Sequence, residues 1–237
     1  MLISIIIPTF NEEKTILNIL KKISTLNCWT EYKDEKNLKK EVIIVDDGSS
    51  DNTIELLENN RYLYSKLIKS EKNYGKGHAI IAGLKHCQGD YVLFQDADDE
   101  YDPADYSKFF SCLINFNADL VIGSRFKYDR YTRSHYFLNR LGNWFITLAF
   151  NITHNCTFTD IYCCYLVFKR KLLKVENIKS LGFEQHAEIL SFLVKSGKIF
   201  FEVPVNYKGR TVSEGKKIKF YHIFVIFYQI FKSTFKK

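Results

Sequence analysis

Proline and glycine are scarce in this chain. Three prolines and eleven glycines among 237 residues leave no room for a disordered or low-complexity tract. No segment repeats. Cysteine is present but unpatterned: Cys28, Cys87, Cys112, Cys156, Cys163 and Cys164 form no CxxC pair and no zinc spacing. The adjacent Cys163 and Cys164 sit in an apolar, strand-like run and read as buried thiols, a usage that suits a reducing compartment. No apolar run approaches the roughly 20 residues that span a bilayer. The opening "MLISIIIPTF" has no basic leader and no cleavage site, so no signal peptide is expected. The expected location is the cytoplasm, free or on the cytosolic face of a membrane. Neither GxxxxGK[ST] nor GxGxxG occurs, which removes the P-loop and the dinucleotide fingerprint.

What is present points to one large folded unit. The chain is 46% hydrophobic, enough for a sizeable core. A formal net charge of +7, with lysines dense near the C-terminus, suits either a solvated surface or an anionic partner. Basic and aromatic residues do not interleave in one groove-like stretch, so nucleic acid is not expected.

Ile3–Ile7 reads as a buried strand closed by Pro8. "NEEKTILNILKKI" follows as a helix capped by Asn11, with Ile16, Ile19, Leu20 and Ile23 on one face. Residues 27–40 read as a polar, irregular excursion. "EVIIVDDGSSDNT" gives a second strand, a turn at Asp46-Asp47-Gly48, and a helix from Ser50 or Asp51. "KLIKSEKN", "GDYVLFQDAD" and "ADLVIGSRF" are further strands, separated by the helices "GKGHAIIAGLKHC" and "PADYSKFFSCLI". Such alternation, with nearly continuous Ile/Val/Leu strands, predicts a mostly parallel α/β sheet with helices on both faces.

The second half is less regular. "LNRLGNWFITLAF" is an amphipathic helix with Leu141, Phe145, Leu148 and Ile152 along one stripe. "TDIYCCYLVFKRKLL" is a strand entering a helix, "GFEQHAEILSFLVKSG" a helix, and "IFFEVPVNYKGR" a strand. The C-terminal "KIKFYHIFVIFYQIFKSTFKK" is a helix.

In sheets of this kind ligands bind beyond the carboxyl ends of the strands. Five polar clusters fall there: Thr9–Glu12, Asp46-Asp47, Asn73–Lys76, Asp96–Glu100 and Ser124-Arg125. The strand "YVLF" empties into Asp96, Asp98, Asp99, Glu100 and Asp102, where like charges repel. Either these lie on a solvated loop or a cation neutralises them. Hard carboxylates without histidine or thiolate favour Mg²⁺ or Mn²⁺, held chiefly through a substrate's phosphates.

At this point the residues resemble a family. "SIIIPTFNEE", "VDDGSSDNT", "NYGKGHA", "QDADDEYDP" and "GSR", in this order, resemble the family 2 glycosyltransferases of the GT-A fold. With "TDIYCCYLVFKR", "GFEQHAEI" and "YKGRTVSEGKKI" the resemblance extends to the dolichyl-phosphate mannosyltransferase-like group, which includes polyprenyl-phosphate hexosyltransferases. It covers nearly the whole chain apart from residues 27–40 and the last fifteen or so.

The resemblance implies an inverting transfer of a hexose from a GDP- or UDP-linked sugar to a polyprenyl phosphate. Pro8, Thr9, Asn11, Glu12, Asp46 and Asp47 would hold base and ribose, and Lys76 is a further donor contact. Asp96 and Asp98 would form the DXD site for Mg²⁺ or Mn²⁺ on the diphosphate, with Glu100 a possible third ligand. Arg125, with Ser124 and Arg140, would meet the acceptor phosphate. Arg210 and Lys216 belong to a loop that closes over the diphosphate. A lipid phosphate needs no general base. A sugar hydroxyl, the alternative acceptor, would need one, with Asp160, Glu184 or Glu188 as candidates. A non-catalytic subunit that recruits a membrane partner is a third reading.

The C-terminal helix separates acceptor classes. Residues 1–219 read as the catalytic domain and 220–237 as this helix. Phe220, Phe224, Phe227, Phe231 and Phe235 share one face, and His222, Gln229, Lys232 and Lys236 the other. An aromatic face flanked by lysines suits an interfacial helix on anionic lipid. Packing on the domain or on a twin subunit is the other possibility.

Overall fold

The computed structural model describes residues 1–31, 38–127, 136–209 and 222–235. Among these residues seven strands form one sheet: β1 (Leu2–Thr9), β2 (Lys39–Asp46), β3 (Lys66–Lys69), β4 (Tyr91–Phe94), β5 (Leu120–Ser124), β6 (Leu166–Lys169) and β7 (Phe200–Pro204). Their order is β3-β2-β1-β4-β6-β5-β7. All neighbours pair in parallel except β6, which runs antiparallel to both β4 and β5. Since β5 is antiparallel to β6 and β6 to β4, the strands β1, β2, β4 and β5 all point the same way. Their carboxyl ends therefore open on one edge, carrying Thr9, Asp46, Gln95-Asp96 and Arg125 to a common rim. This is the α/β architecture of the GT-A type.

Consecutive residues of a strand face opposite sides. Ile3, Ile5, Ile6 and Ile7 are fully buried, and all four residues of β4 are buried. Both sheet faces are therefore covered, as near-continuous aliphatic runs require. The covering helices are α1 (Ile16–Thr25), α2 (Cys28–Glu31), α3 (Thr53–Asn59), α4 (Lys76–Leu84), α5 (Tyr106–Phe116), α6 (Phe137–His154), α7 (Gln185–Ser196) and α8 (His222–Phe235). Helix α1 buries Ile16, Ile19, Leu20 and Ile23, the face expected from its spacing.

Several local expectations are corrected. Asn11 does not cap α1: it sits in the left-handed region at φ 55°, and the helix begins five residues later. Its side chain instead accepts the Ser50 N–H at 2.8 Å, tying the first loop to the second. The helix expected from Ser50 or Asp51 starts at Thr53, whose N–H the Asp51 carboxylate accepts. Within residues 27–40 the described parts, 27–31 and 38–40, are not irregular. Trp29 in α2 donates to the Ile23 carbonyl and packs against Tyr106 and Phe110, and β2 already begins at Lys39. Strand β6 enters only a single 3₁₀ turn, Arg170–Leu172.

The largest correction concerns α6. Leu141, Phe145, Leu148 and Ile152 do not form its buried stripe: Ile146, Thr147 and Phe150 do. Phe145, Leu148 and Ile152 are exposed, along with Phe137, Leu138 and Trp144 on the same helix. Helix α6 is apolar on two sides, so periodicity alone leaves the choice of core side open. Helix α8 packs on α6 and α7 and buries Ile226, Gln229, Ile230 and Ser233. Gln229, expected on the polar outer face, is inside, where its amide donates to Ser233 Oγ. Phe224, Val225, Tyr228 and Phe231 remain exposed.

Candidate functional site

The ends of β1 and β2 form one wall. Thr9 is buried, and its carbonyl accepts the Asp47 N–H. Pro8, half-buried, is paired in register with Val45. Glu12 is buried; its N–H is held by Thr53 and its carboxylate by Thr15. The two aspartates of "VDDGS" divide their work. Asp47 accepts the N–H groups of Tyr74 and Gly75, which holds the loop before α4 against β2. Asp46 closes its own turn through Oδ2, which accepts from Gly48 and Ser49. Its Oδ1 is buried with no hydrogen-bond partner among the described residues, a rare condition that points to a ligand.

The acidic loop after β4 is the centre of the site. Gln95, fully buried, accepts from Tyr106 and Tyr165 and donates to the Asp96 carbonyl, fixing the backbone there. Lys76, the first residue of α4, meets Asp96 Oδ1 at 2.5 Å. Burial works against both charges, but each ion outweighs it for the other. Lys76 is held above its usual range and Asp96 below. At Asp98 the opposing influences outweigh the help of Lys76. Burial first, then Asp96 and Glu100, push its carboxyl up to about 7. Asp99, at φ 59°, turns away and binds Lys22 and Asn18 on α1. One aspartate of the run is thus a structural anchor.

The carboxylates raise the question of a metal. Among the described residues no three His, Cys, Asp or Glu side chains converge to cage one. Asp96 and Asp98 are hard oxygen donors, and burial beside Asp96 and Glu100 disfavours the charged Asp98. Such a pair would hold Mg²⁺ or Mn²⁺ only with further ligands from a substrate diphosphate and water. Glu100 is engaged by Tyr207, whose hydroxyl hydrogen-bonds it.

The end of β5 supplies the other wall. Asp160, fully buried, grips Arg125 with both oxygens: Nε at 2.7 Å and Nη2 at 2.8 Å. It also accepts the Arg125 backbone N–H and the Asn143 amide from α6. Four donors on one carboxylate describe a holder of Arg125 and leave it poorly placed to take a proton from a substrate. Arg125 and Arg140 flank the Phe126 ring, at 5.7 and 5.6 Å from its centroid. Ser124 is committed to the turn: its hydroxyl bonds Thr159 and accepts the N–H groups of Phe126 and Lys127. The other base candidates are committed too. Glu188 is buried and accepts the N–H groups of Lys179 and Ser180, and Glu184 accepts that of Gly182.

Arg210 and Lys216 lie outside the described residues. Gln95, Asn143, Tyr207 and His186 were not singled out from the sequence. Tyr207 and His186 stand inside the quoted "NYKGR" and "GFEQHAEI", but nothing in their spacing sets them apart from core residues.

Comparisons with known proteins identify the family. Residues 4–175 match the glycosyl transferase family 2 profile. The chain belongs to that family. The UDP-N-acetylglucosamine–dolichyl-phosphate N-acetylglucosaminyltransferase of Methanococcus voltae is 29% identical over 250 residues, 97% of this chain and 94% of its own. A dolichyl-phosphate beta-glucosyltransferase of Trichomonas vaginalis is 30% identical over 232 residues, 92% of this chain and 68% of its own. Glucosyl-3-phosphoglycerate synthase from Mycobacterium tuberculosis shares the fold, with a TM-score of 0.68 at 18% identity over 98% of this chain and 79% of its own. The protein is a glycosyltransferase that depends on a sugar nucleotide. Neither named relative is a mannosyltransferase, so the resemblance holds for lipid-phosphate-linked sugar transferases at large and not for a mannosyl-specific group.

Proposed function

We propose that this glycosyltransferase moves a hexose from a nucleotide diphosphate sugar to a polyprenyl phosphate at a membrane surface. Helix α6 carries the observation that supports this most directly. On one side its Asn143 bonds Asp160 and its Arg140 lies over Phe126, a ring that Arg125 also approaches. Along the same helix Phe137, Leu138, Phe145 and Ile152 are exposed. A lipid phosphate needs both features: cations for its head and an apolar surface where its chain lies. Helix α8, packed on α6, adds exposed Phe224, Tyr228 and Phe231, with Lys232 beside them. No described helix is long and apolar enough to cross a membrane. Aromatic faces with flanking cations suit attachment at the interface.

On the donor side, Asp46 Oδ1 would accept an N–H of the base. Asp96 and Asp98 would hold Mg²⁺ or Mn²⁺, which neutralises charge on the departing diphosphate. Lys76 already compensates Asp96 and is placed to share the diphosphate's charge. The acceptor phosphate has its second pKa near 6 and is mostly dianionic at pH 7, so it attacks the anomeric carbon without a base. A single displacement inverts that carbon. Asp160 acts by holding Arg125 charged and aimed.

Labelled UDP-N-acetylglucosamine, UDP-glucose and GDP-mannose, each offered with polyprenyl phosphate and Mg²⁺ or Mn²⁺, test the reading. Label from at least one donor should enter an organic-soluble product that mild acid releases. Transfer only to glycan hydroxyls, with none to polyprenyl phosphate, would overturn it.

A further inference from the structure

His186 stands where the two halves of the site meet, and the packing that brings it there is specific. Gly75 and Gly77 flank Lys76. A Cβ on Gly77 would lie 2.5 Å from the Leu181 backbone, and one on Gly75 would lie 3.0 Å from the Leu181 carbonyl oxygen. These glycines let the segment before α7 lie directly on the start of α4. The first turn of α7 is thereby seated beside the Lys76–Asp96 pair. The glycine-lysine turn thus acts as a packing seam as well as presenting its lysine.

The His186 ring rests 5.6 Å from that of Tyr162. Lys76 and Asp96 on the donor side, and Asp160 on the acceptor side, are all within its electrostatic reach. The Ile161 backbone hydrogen-bonds the ring, while Nε2 is buried with no partner among the described residues. Gln185 next to it is buried, and its Nε2 is likewise unpartnered among them. Burial, then Lys76, push the imidazole down to about 4, so it is neutral at working pH. A neutral ring donating to a backbone carbonyl through one nitrogen carries a lone pair on the other. In an in-line displacement the leaving diphosphate and attacking phosphate lie on opposite sides of the sugar. A side chain within electrostatic reach of both walls would flank that sugar.

We propose that His186 Nε2 is a hydrogen-bond acceptor for a hydroxyl or amide N–H of the transferred sugar, and that it selects among donor sugars. The proposal rests on the donor half of the reading above and on an in-line displacement, whatever group the acceptor presents.

Donor binding, measured by calorimetry without acceptor, tests it. The probes are UDP and GDP alone, then UDP-N-acetylglucosamine, UDP-glucose, UDP-galactose and GDP-mannose. In the wild type the preferred sugar should add affinity over its bare nucleotide and discriminate between epimers. His186→Phe should bind the bare nucleotide as before and keep its thermal midpoint. It should lose about tenfold in affinity for the preferred sugar nucleotide, the size of one net hydrogen bond. The ratio between epimers should fall with it. His186→Gln, whose Oε1 can accept, should restore most of both. Three results would overturn the proposal: a sugar that adds no affinity in the wild type, an unchanged epimer ratio in His186→Phe, or loss of bare-nucleotide binding along with the sugar's. Failure of polyprenyl phosphate as acceptor, with these donor results intact, would overturn only the acceptor reading.

Discussion

Tyr207 links the two walls of the site to each other. Its ring centroid lies 5.3 Å from the Arg125 guanidinium carbon, and its hydroxyl hydrogen-bonds Glu100 on the acidic loop. It also packs against Tyr101 and pairs with it through a backbone bridge, while the Lys208 N–H donates to the Glu100 carbonyl. The segment after β7 is thus laid across the mouth of the site. Tyr207→Phe keeps the ring under Arg125 and removes only the hydroxyl's hydrogen bond to Glu100; Tyr207→Ala removes ring and hydroxyl together. The phenylalanine variant should retain acceptor kcat/KM within a few-fold. The alanine variant should lose about tenfold or more, because a desolvated cation–π contact is worth up to about 2 kcal/mol. Equal losses in the two would show that the hydroxyl, and not the ring, matters.

Asp160 and Arg125 make the most consequential ion pair. Asp160 has no exposure and Arg125's side chain little, so removing one partner leaves a buried charge uncompensated. Asp160→Leu should destabilise the fold by about 3–5 kcal/mol, read by chemical denaturation. The Arg125→Leu/Asp160→Leu double variant should recover much of that stability, since no lone charge remains. It should still transfer no sugar. A single variant as stable as wild type would show that Arg125 finds another counter-ion.

The Asp98 carboxyl predicts a pH dependence of stability in metal-free protein. Its folded pKa, about 7, lies above the unfolded value of about 3.9. Such a group contributes stability that is present at low pH and lost as pH rises from about 4 to about 7. With chelator present, Asp98→Asn should therefore gain in thermal midpoint over wild type as pH rises through that window. Mg²⁺ or Mn²⁺ should raise the wild-type midpoint more at pH 8 than at pH 6, and the variant's little. Asp98→Asn should also lose most metal-dependent transfer. An identical cation response in both proteins would remove Asp98 from the proposed metal site.

The sequence makes the sheet legible because a strand covered on both faces has to be apolar throughout. Ile3–Ile7 and Val42–Val45 therefore announce themselves. The rim follows from where those runs stop, which is why Asp46, Asp96 and Arg125 are found together. Roles within the rim follow less well. Asp99 looks identical to Asp98 in sequence, yet a left-handed backbone turns it onto Lys22 and Asn18. Asp160 looks like a free carboxylate until Arg125 and Asn143, 35 and 17 residues away in the chain, are brought onto it. On α6 both sides are apolar, and only packing shows which is inside. Long-range partners decide each of these cases, and periodicity carries no information about them.

The exposed faces of α6 and α8 make the last prediction. Phe145 on α6 and Phe224 on α8 are 48% and 69% exposed, so replacing them with serine leaves the buried cores of α6 and α8 in place. The Phe145→Ser/Phe224→Ser variant should keep its thermal midpoint and its affinity for nucleoside diphosphate. It should sediment less with anionic vesicles and lose activity on long-chain polyprenyl phosphate, while a short, water-soluble analogue is used as before. Truncation before α8 is a poorer test. Ile226 and Ile230 are buried, and fully burying each such side chain contributes about 1.5–3 kcal/mol. Deleting the helix should therefore destabilise the domain whatever its outer face does. Undiminished vesicle binding by the double serine variant would mean that these aromatic residues face something other than lipid.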